Sequence, residues 1–168
     1  MNPNSSILAD SESGREVRIR VEGKGTFQCS PPLRDFCRKM IEEGRREFIV
    51  DLKGCPAMDS TFMGTLAGIA TRVNDAGGGD VWVVNRNERN TELLAGLGID
   101  AMFSEKPLPA APNGAKVEAL ASTADKAAIR EAMHEAHVIC ISVNPENEEK
   151  FKDVVETLKD SADRAKKR

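Results

Sequence analysis

The sequence predicts an α/β fold: a mostly parallel β-sheet with crossover helices, followed by a C-terminal helical hairpin. Three observations carry this. Between residues 16 and 105, short apolar runs of strand character alternate with segments of helical periodicity. The stretches joining the central strands are long enough for a crossover helix, as parallel pairing requires. Beyond the Pro-, Ala- and Gly-rich stretch KPLPAAPNGA (106–115) the pattern becomes purely helical.

The elements follow in chain order. Residues 1–14 are polar, with Ser, Asn and Glu prominent, and read as a flexible N-terminus. EVRIRVEG (16–23) sets Val17, Ile19 and Val21 against Arg18, Arg20 and Glu22, the alternation of a half-exposed strand. GKGTFQ reads as a second short strand. SPPLRDFCRKMIEEG is a helix with Ser30 as N-cap and Pro31 in its first turn. Its apolar stripe is Leu33, Phe36, Cys37, Met40 and Ile41, and Gly44 stops it. EFIVDLKG (47–54) is compactly apolar and suits a buried central strand.

PAMDSTFMGTLAG (56–68) opens the next helix, whose apolar positions run from Met63 through Leu66, Ala67, Ile69 and Ala70 to Val73. DVWVVNR (80–86) is another buried strand, with Trp82 in the core. ERNTELLAGLGI forms a short helix closed by Gly96 or Gly98, and AMFSE offers a last short strand. This delimits an α/β domain over 15–106 and a linker over 107–121. In the remainder, 122–168, Ser122 and Asp125 resemble a capping box. A stripe of Ile129, Ala132, Met133, Ala136, Cys140 and Val143 follows. Asn144 then caps a second helix with Pro145 at its first position, acids in its first turn, and the stripe Phe151, Val154, Val155 and Leu158.

Composition narrows the function. The 168 residues are 40% hydrophobic and 30% charged, enough for one sizeable core. A net charge of −3 argues against nucleic acid as a partner. No signal peptide is legible and no apolar run approaches the roughly 20 residues of a membrane span, so a cytoplasmic protein is expected. Cys29, Cys37, Cys55 and Cys140 lack CxxC spacing, which favours reduced, buried thiols over disulfides or a zinc site. No cofactor is indicated.

The Asp59-Ser60 pair, at a strand-to-helix junction, admits three readings. A nucleophile needs a base and a pattern such as G-x-S-x-G; the glycines are missing, and the histidines, His134 and His137, lie in the hairpin. A P-loop is absent, because Gly64 and Gly68 are followed by Thr65 and Ile69. A helix cap, from Asp59 or Ser60, is compatible with the third reading, a switch. Free N–H groups and the positive end of the helix dipole accept a phosphate at a helix N-terminus, and phosphorylation there adds about −1.5 to −2 charges.

The stretch FIVDLKGCPAMDSTFMGTLAG resembles the signature of STAS domains, the fold of bacterial anti-sigma factor antagonists. The matching residues are Asp51-Leu52, Met58-Asp59-Ser60-Thr61, Gly64 and Leu66. The flanking order, with AGGGDVWVVNRNERNTELLAGLGI downstream, is similar as well, and the resemblance spans about 15–106. It implies a STAS-like sheet and a non-enzymatic transcription regulator working by partner switching. The partner implied is an anti-sigma factor that is a serine kinase of the GHKL ATPase type, with a PP2C-type phosphatase reversing the mark. The serine after the aspartate is the implied phosphorylation site: Ser60, with Thr61 the lesser acceptor. Asp59, Ser60, Thr61, Phe62 and Met63 are the implied partner-binding residues. A STAS scaffold that is never phosphorylated is the alternative.

Two departures stand out. Phe62 occupies a position where the family commonly has glycine, and it could pack on a partner or cover the hydroxyl. The hairpin extends beyond minimal members and could serve self-association, including a homodimer, or cap the sheet. Arg86 and Arg89, in the polar loop NRNERN at the C-terminal edge of a strand, are candidates for contacting a partner or phosphate. Glu131, His134 and His137 lie at helical spacing but lack the further ligands a zinc site needs, and read as a polar face.

Overall fold

The computed structural model describes residues 5–111, 116–120 and 124–167. Five strands form one sheet: β1 (Ser6–Asp10), β2 (Val17–Glu22), β3 (Glu47–Asp51), β4 (Asp80–Val84) and β5 (Glu118–Ala119), in the order β4-β3-β2-β1-β5. The helices are α1 (Ser30–Glu42), α2 (Ser60–Asp75), α3 (Glu88–Gly96), α4 (Lys126–Val143) and α5 (Asn147–Lys166). Strands β2, β3 and β4 run parallel, joined by the crossover helices α1 and α2. This is the α/β arrangement that the apolar runs and long connections imply.

The other half of the sheet is antiparallel. β1 pairs with β2 over Ser6–Asp10 against Glu22–Arg18, and β5 pairs with β1 through Leu8–Ala119 and Ala9–Glu118. The segment read as a flexible N-terminus thus contributes a strand, and the stretch read as linker contributes a short one. In β1, Ile7 and Ala9 are the buried apolar positions, 4% and 3% exposed, with the half-buried Leu8 between them and polar residues on either side of this three-residue run. So short an apolar run inside a polar segment gives little strand signal, and pairing with β2 and β5 supplies the order.

Further expectations are corrected. Within GKGTFQ, Gly25 makes an isolated bridge to Met58 and no strand forms. AMFSE yields a single 3₁₀ turn at Asp100–Met102, after which Phe103 is buried. Cys29 is the N-cap of α1; Ser30 is already helical and donates its hydroxyl to Thr26 O at 3.2 Å. At the hairpin, Asp125 caps α4 by accepting from Ala128 N at 2.7 Å, while Ser122 lies outside the described residues. Glu146 is the N-cap of α5, and Asn144 closes α4.

Alternation along the strands gives the sheet two different faces. Val17, Ile19, Val21, Phe48, Val50, Val81 and Val83 meet Leu33, Leu66, Leu94, Ile99 and Cys140 in the main core under the helices. On the other face, the segment after the 3₁₀ turn runs back across the sheet. Trp82 Nε1 donates to Lys106 O at 2.9 Å, and Arg18 Nη2 donates to Pro109 O and Ala110 O at 3.3 and 3.2 Å. All four cysteines are buried and unpaired. Among the described residues, no helix is long and apolar enough to cross a membrane.

The hairpin lies on the domain rather than beside it. Helix α4 packs along α2 and against α1, and α5 packs on α4. Ala132, Ala136 and Cys140, three members of the stripe read from sequence, are 2%, 2% and 0% exposed. Asn147, at the start of α5, donates its side-chain amide to Leu97 O and Cys140 O at 2.9 Å each, tying the hairpin turn to the end of α3.

Candidate functional site

β3 ends at Asp51, and a short loop carries the chain over the C-terminal edge of the sheet into α2. The loop is fixed by backbone and side-chain bonds: Asp59 N donates to Gly25 O at 2.9 Å and Gly25 N to Ala57 O at 3.0 Å. Asn87 and Asn90, at the start of α3, donate to Pro56 O and Cys55 O at 3.1 and 2.8 Å. The loop therefore delivers the Asp-Ser pair to one place.

Asp59 is the N-cap. Its Oδ1 accepts from Phe62 N at 2.8 Å, and its Oδ2 accepts from Phe27 N at 2.7 Å. Burial raises the Asp59 pKa above its ordinary 3.8, while these backbone donors and nearby His137 pull it down. Of the two capping candidates the aspartate takes the role, because its carboxylate spans both donors. Ser60 is thereby left as the first helical residue with its hydroxyl free for another partner.

That partner is His137 on α4. Ser60 Oγ lies 2.9 Å from His137 Nε2, and His137 Nδ1 lies 2.6 Å from Met133 O. A carbonyl oxygen can only accept, so Nδ1 carries the proton; in the neutral ring Nε2 is then the acceptor and Ser60 donates. Burial, foremost, lowers the His137 pKa below 6.5, which favours that neutral form; Met133 O and Asp59 oppose the shift. The ring is 3% exposed and stacks obliquely on Phe151, centroids 4.7 Å apart.

The sequence reading set the nucleophile aside partly because both histidines lay in the hairpin. That ground is overturned, since the fold brings His137 onto Ser60. The signal was in the sequence: His137 is four residues after Met133 and three before Cys140, on the buried side of α4. Among the described residues, no group of three His, Cys, Asp or Glu is arranged to hold a metal.

Thr61, Phe62 and Met63 are 3%, 0% and 4% exposed. Phe62 turns inward beneath the loop, and none of its surface is open to a partner in this arrangement; it does not lie over the Ser60 hydroxyl, which His137 takes. Its ring fills the space that Gly25 leaves: a Cβ on Gly25 would stand 2.6 Å from Phe62 Cδ1. The bulk of Phe62 is thus matched by the missing side chain opposite. Arg86 is occupied, its Nε donating to Val83 O at 2.9 Å and its guanidinium lying 5.7 Å from the Phe103 ring centroid. Arg89 is exposed on α3.

A second cluster joins α4 to the domain beyond Ser60. Glu135 accepts from Arg72 and, at 3.3 Å, from Arg34, and forms an ion pair with Arg38 at 3.5 Å. Arg34 also donates to Asp35 at 3.1 Å. Between the two clusters, Gly64 and Gly68 let α4 approach closely. A Cβ on Gly64 would meet Ala136 Cβ at 2.7 Å, and one on Gly68 would meet Ile139 Cδ1 at 2.9 Å.

A parallel β2-β3-β4 core with an Asp-Ser pair opening the helix after β3 defines a class, and the family model for the STAS domain matches residues 10–113. The chain belongs to the STAS domain family. No curated protein matches it. A solved structure of a Thermotoga maritima protein, put forward as an anti-sigma factor antagonist, is similar at 16% identity and a TM-score of 0.45, covering 53% of this chain and 76% of that one. The matched region ends before α4, so the hairpin that holds Ser60 is an addition to the family domain.

Proposed function

We propose that this protein is an anti-sigma factor antagonist that regulates transcription by partner switching, itself non-enzymatic and cytoplasmic. In this reading the unphosphorylated form binds an anti-sigma factor kinase of the GHKL type. Phosphorylation of Ser60 releases that partner, and a PP2C-type phosphatase resets the switch. The transfer forms a bond from Ser60 Oγ to the γ-phosphorus of ATP as the bond to ADP breaks and the hydroxyl proton leaves.

The observation that carries the reading is the placement of Ser60 as the first residue of α2, behind an Asp59 cap, in a STAS domain. Backbone N–H groups and the helix dipole favour a phosphate there. The test is incubation with the cognate kinase and ATP, followed by phosphosite mapping. Modification of Ser60, abolished in Ser60→Ala, is expected; a Ser60→Ala form modified as well as wild type overturns the proposal.

A second reading, a scaffold that is never phosphorylated, is favoured by the Ser60–His137 bond, which engages the hydroxyl under α4. Mass spectrometry of protein recovered from cells separates the two: phosphate on Ser60 under any growth condition excludes the scaffold reading.

A further inference from the structure

We propose that the α1–α2 face beneath α4 is a docking surface for an acidic amphipathic helix of a partner protein, and that α4 occupies it as an intramolecular stand-in. The inference rests on the proposed function only in taking the Ser60 end of α2 as the partner face.

Three features define what the surface accepts. Gly64 and Gly68, one turn apart, form a notch with no side chains: at Gly64 the occupant must present a small residue, which α4 supplies as Ala136, and at Gly68 there is room for the tip of an aliphatic side chain, which α4 supplies as Ile139. Arg34 and Arg38 from α1 and Arg72 from α2 converge on one point, and α4 meets them with the carboxylate of Glu135. At the end of the groove the Ser60 hydroxyl needs an acceptor, and His137 provides one. Residues 135, 136 and 137 thus satisfy the arginines, the notch and the serine from a single helical turn.

The arginines argue that the face is built for an anion brought by another element. Three guanidiniums from two helices of the domain meet one carboxylate of their own elements, Asp35. Without α4 they would form a basic patch on the α1–α2 face, with the Gly64–Gly68 notch between it and Ser60, on a protein whose net charge is −3. Charge complementarity of this kind selects a partner and speeds its encounter. The contact is mixed in character: the deeply buried α4 positions are two alanines, a cysteine and a histidine, and Ile139, Val143 and Phe151 of the hairpin pack partly buried against the core. The hairpin lies beyond the residues that the family model matches, as expected of an added competitor for a face the domain already has.

The test uses the full chain and a labelled synthetic peptide of residues 124–145 as the probe. Ala136→Leu drives a side chain into the Gly64 notch and should lift α4, leaving the face intact; Glu135→Lys does the same through charge alone. The peptide is expected to bind either variant at least tenfold more tightly than wild type, whose face is filled. A peptide carrying Glu135→Gln should bind at least tenfold more weakly than the unmodified one. Hydrogen exchange of the β2–β4 amides confirms that the variants remain folded, and Glu135→Lys serves if Ala136→Leu does not.

Equal binding to wild type and variants, or indifference to the peptide carboxylate, overturns the proposal. A dimer formed by the variants, seen by light scattering, also overturns it, since the occupant would then be the hairpin of a second copy. No kinase or ATP is present, so this result and the fate of Ser60 phosphorylation are read separately.

Discussion

Ser60 and His137, separated by 77 positions, share a hydrogen bond of 2.9 Å that joins the N-terminus of α2 to the added hairpin. Through it a residue at the expected switch position reports on whether the hairpin is docked. His137→Ala removes the acceptor, the bond to Met133 O and the packing on Phe151. An unsatisfied buried hydroxyl and lost bonds of this type cost about 1–3 kcal/mol. The expected outcome is faster hydrogen exchange in α4 and α5 with the β2–β4 amides unchanged. Uniform acceleration across the whole chain would contradict a local role.

Acid should loosen the same contact. Burial holds the His137 pKa below 6.5 in the folded chain, so the unfolded chain binds a proton first as pH falls. The stability contributed by neutral His137 is therefore complete above pH 6.5 and is lost as pH falls from there through the folded-state value. Asp59 acts lower and with the opposite sign: its folded pKa is raised above 3.8, so its protonation favours the folded state as pH falls through that raised value. Thermal melts across pH 6.5 check this, with the midpoint falling on the acid side in wild type and less so in His137→Gln.

Two glycines on neighbouring helices in the chain, Gly64 of α2 and Gly96 of α3, should respond oppositely to alanine. At Gly64 the new Cβ would stand 2.7 Å from Ala136 Cβ, and overpacking costs about 1–3 kcal/mol. At Gly96, near the end of α3, a Cβ meets nothing within 4 Å, and the substitution should stabilise by about 0.4–1 kcal/mol. Denaturant unfolding of the two variants provides the comparison; a neutral Gly64→Ala would mean that α4 does not pack against α2 at this point.

Phe62 and Gly25 should prove coupled. Phe62→Ala empties a fully buried site and is expected to cost about 3–5 kcal/mol. Gly25→Ala presses a methyl group onto the ring at 2.6 Å and should cost about 1–3 kcal/mol. Combined with Phe62→Leu, Gly25→Ala should cost less than it does alone, because contacting residues are not additive. A double-mutant cycle with no interaction energy would show that the pair does not share space.

Glu135→Gln leaves Arg34, Arg38 and Arg72 without their shared anion. With Glu135 and Arg34 only 25% and 10% exposed at the side chain, the loss should exceed the 0–1 kcal/mol of an open surface pair, at about 1–3 kcal/mol. Raising the salt concentration should shrink the difference between variant and wild type.

The sequence by itself determined what local pattern can encode. Alternation at Val17, Ile19 and Val21, the compact run at 48–50, the break at Gly44 and the stripe of Ala132, Ala136 and Cys140 each state a periodicity, and each element formed where its periodicity lay. The Asp-Ser pair was legible as a helix start for the same reason: capping is local chemistry. Strands β1 and β5 were not legible: β1 is a single five-residue stretch inside a polar N-terminal segment and is ordered by pairing with β2 and β5 on its two sides, and β5 is a two-residue edge strand that takes its order from β1, more than a hundred positions away in sequence. Which of Asp59 and Ser60 caps α2, where Phe62 puts its bulk, and what the Ser60 hydroxyl touches were decided only by tertiary structure. Each answer depends on a residue from elsewhere in the chain, namely Phe27, Gly25 and His137. Spacing along a chain fixes which face a residue occupies; only the packing of one element on another decides what that face meets.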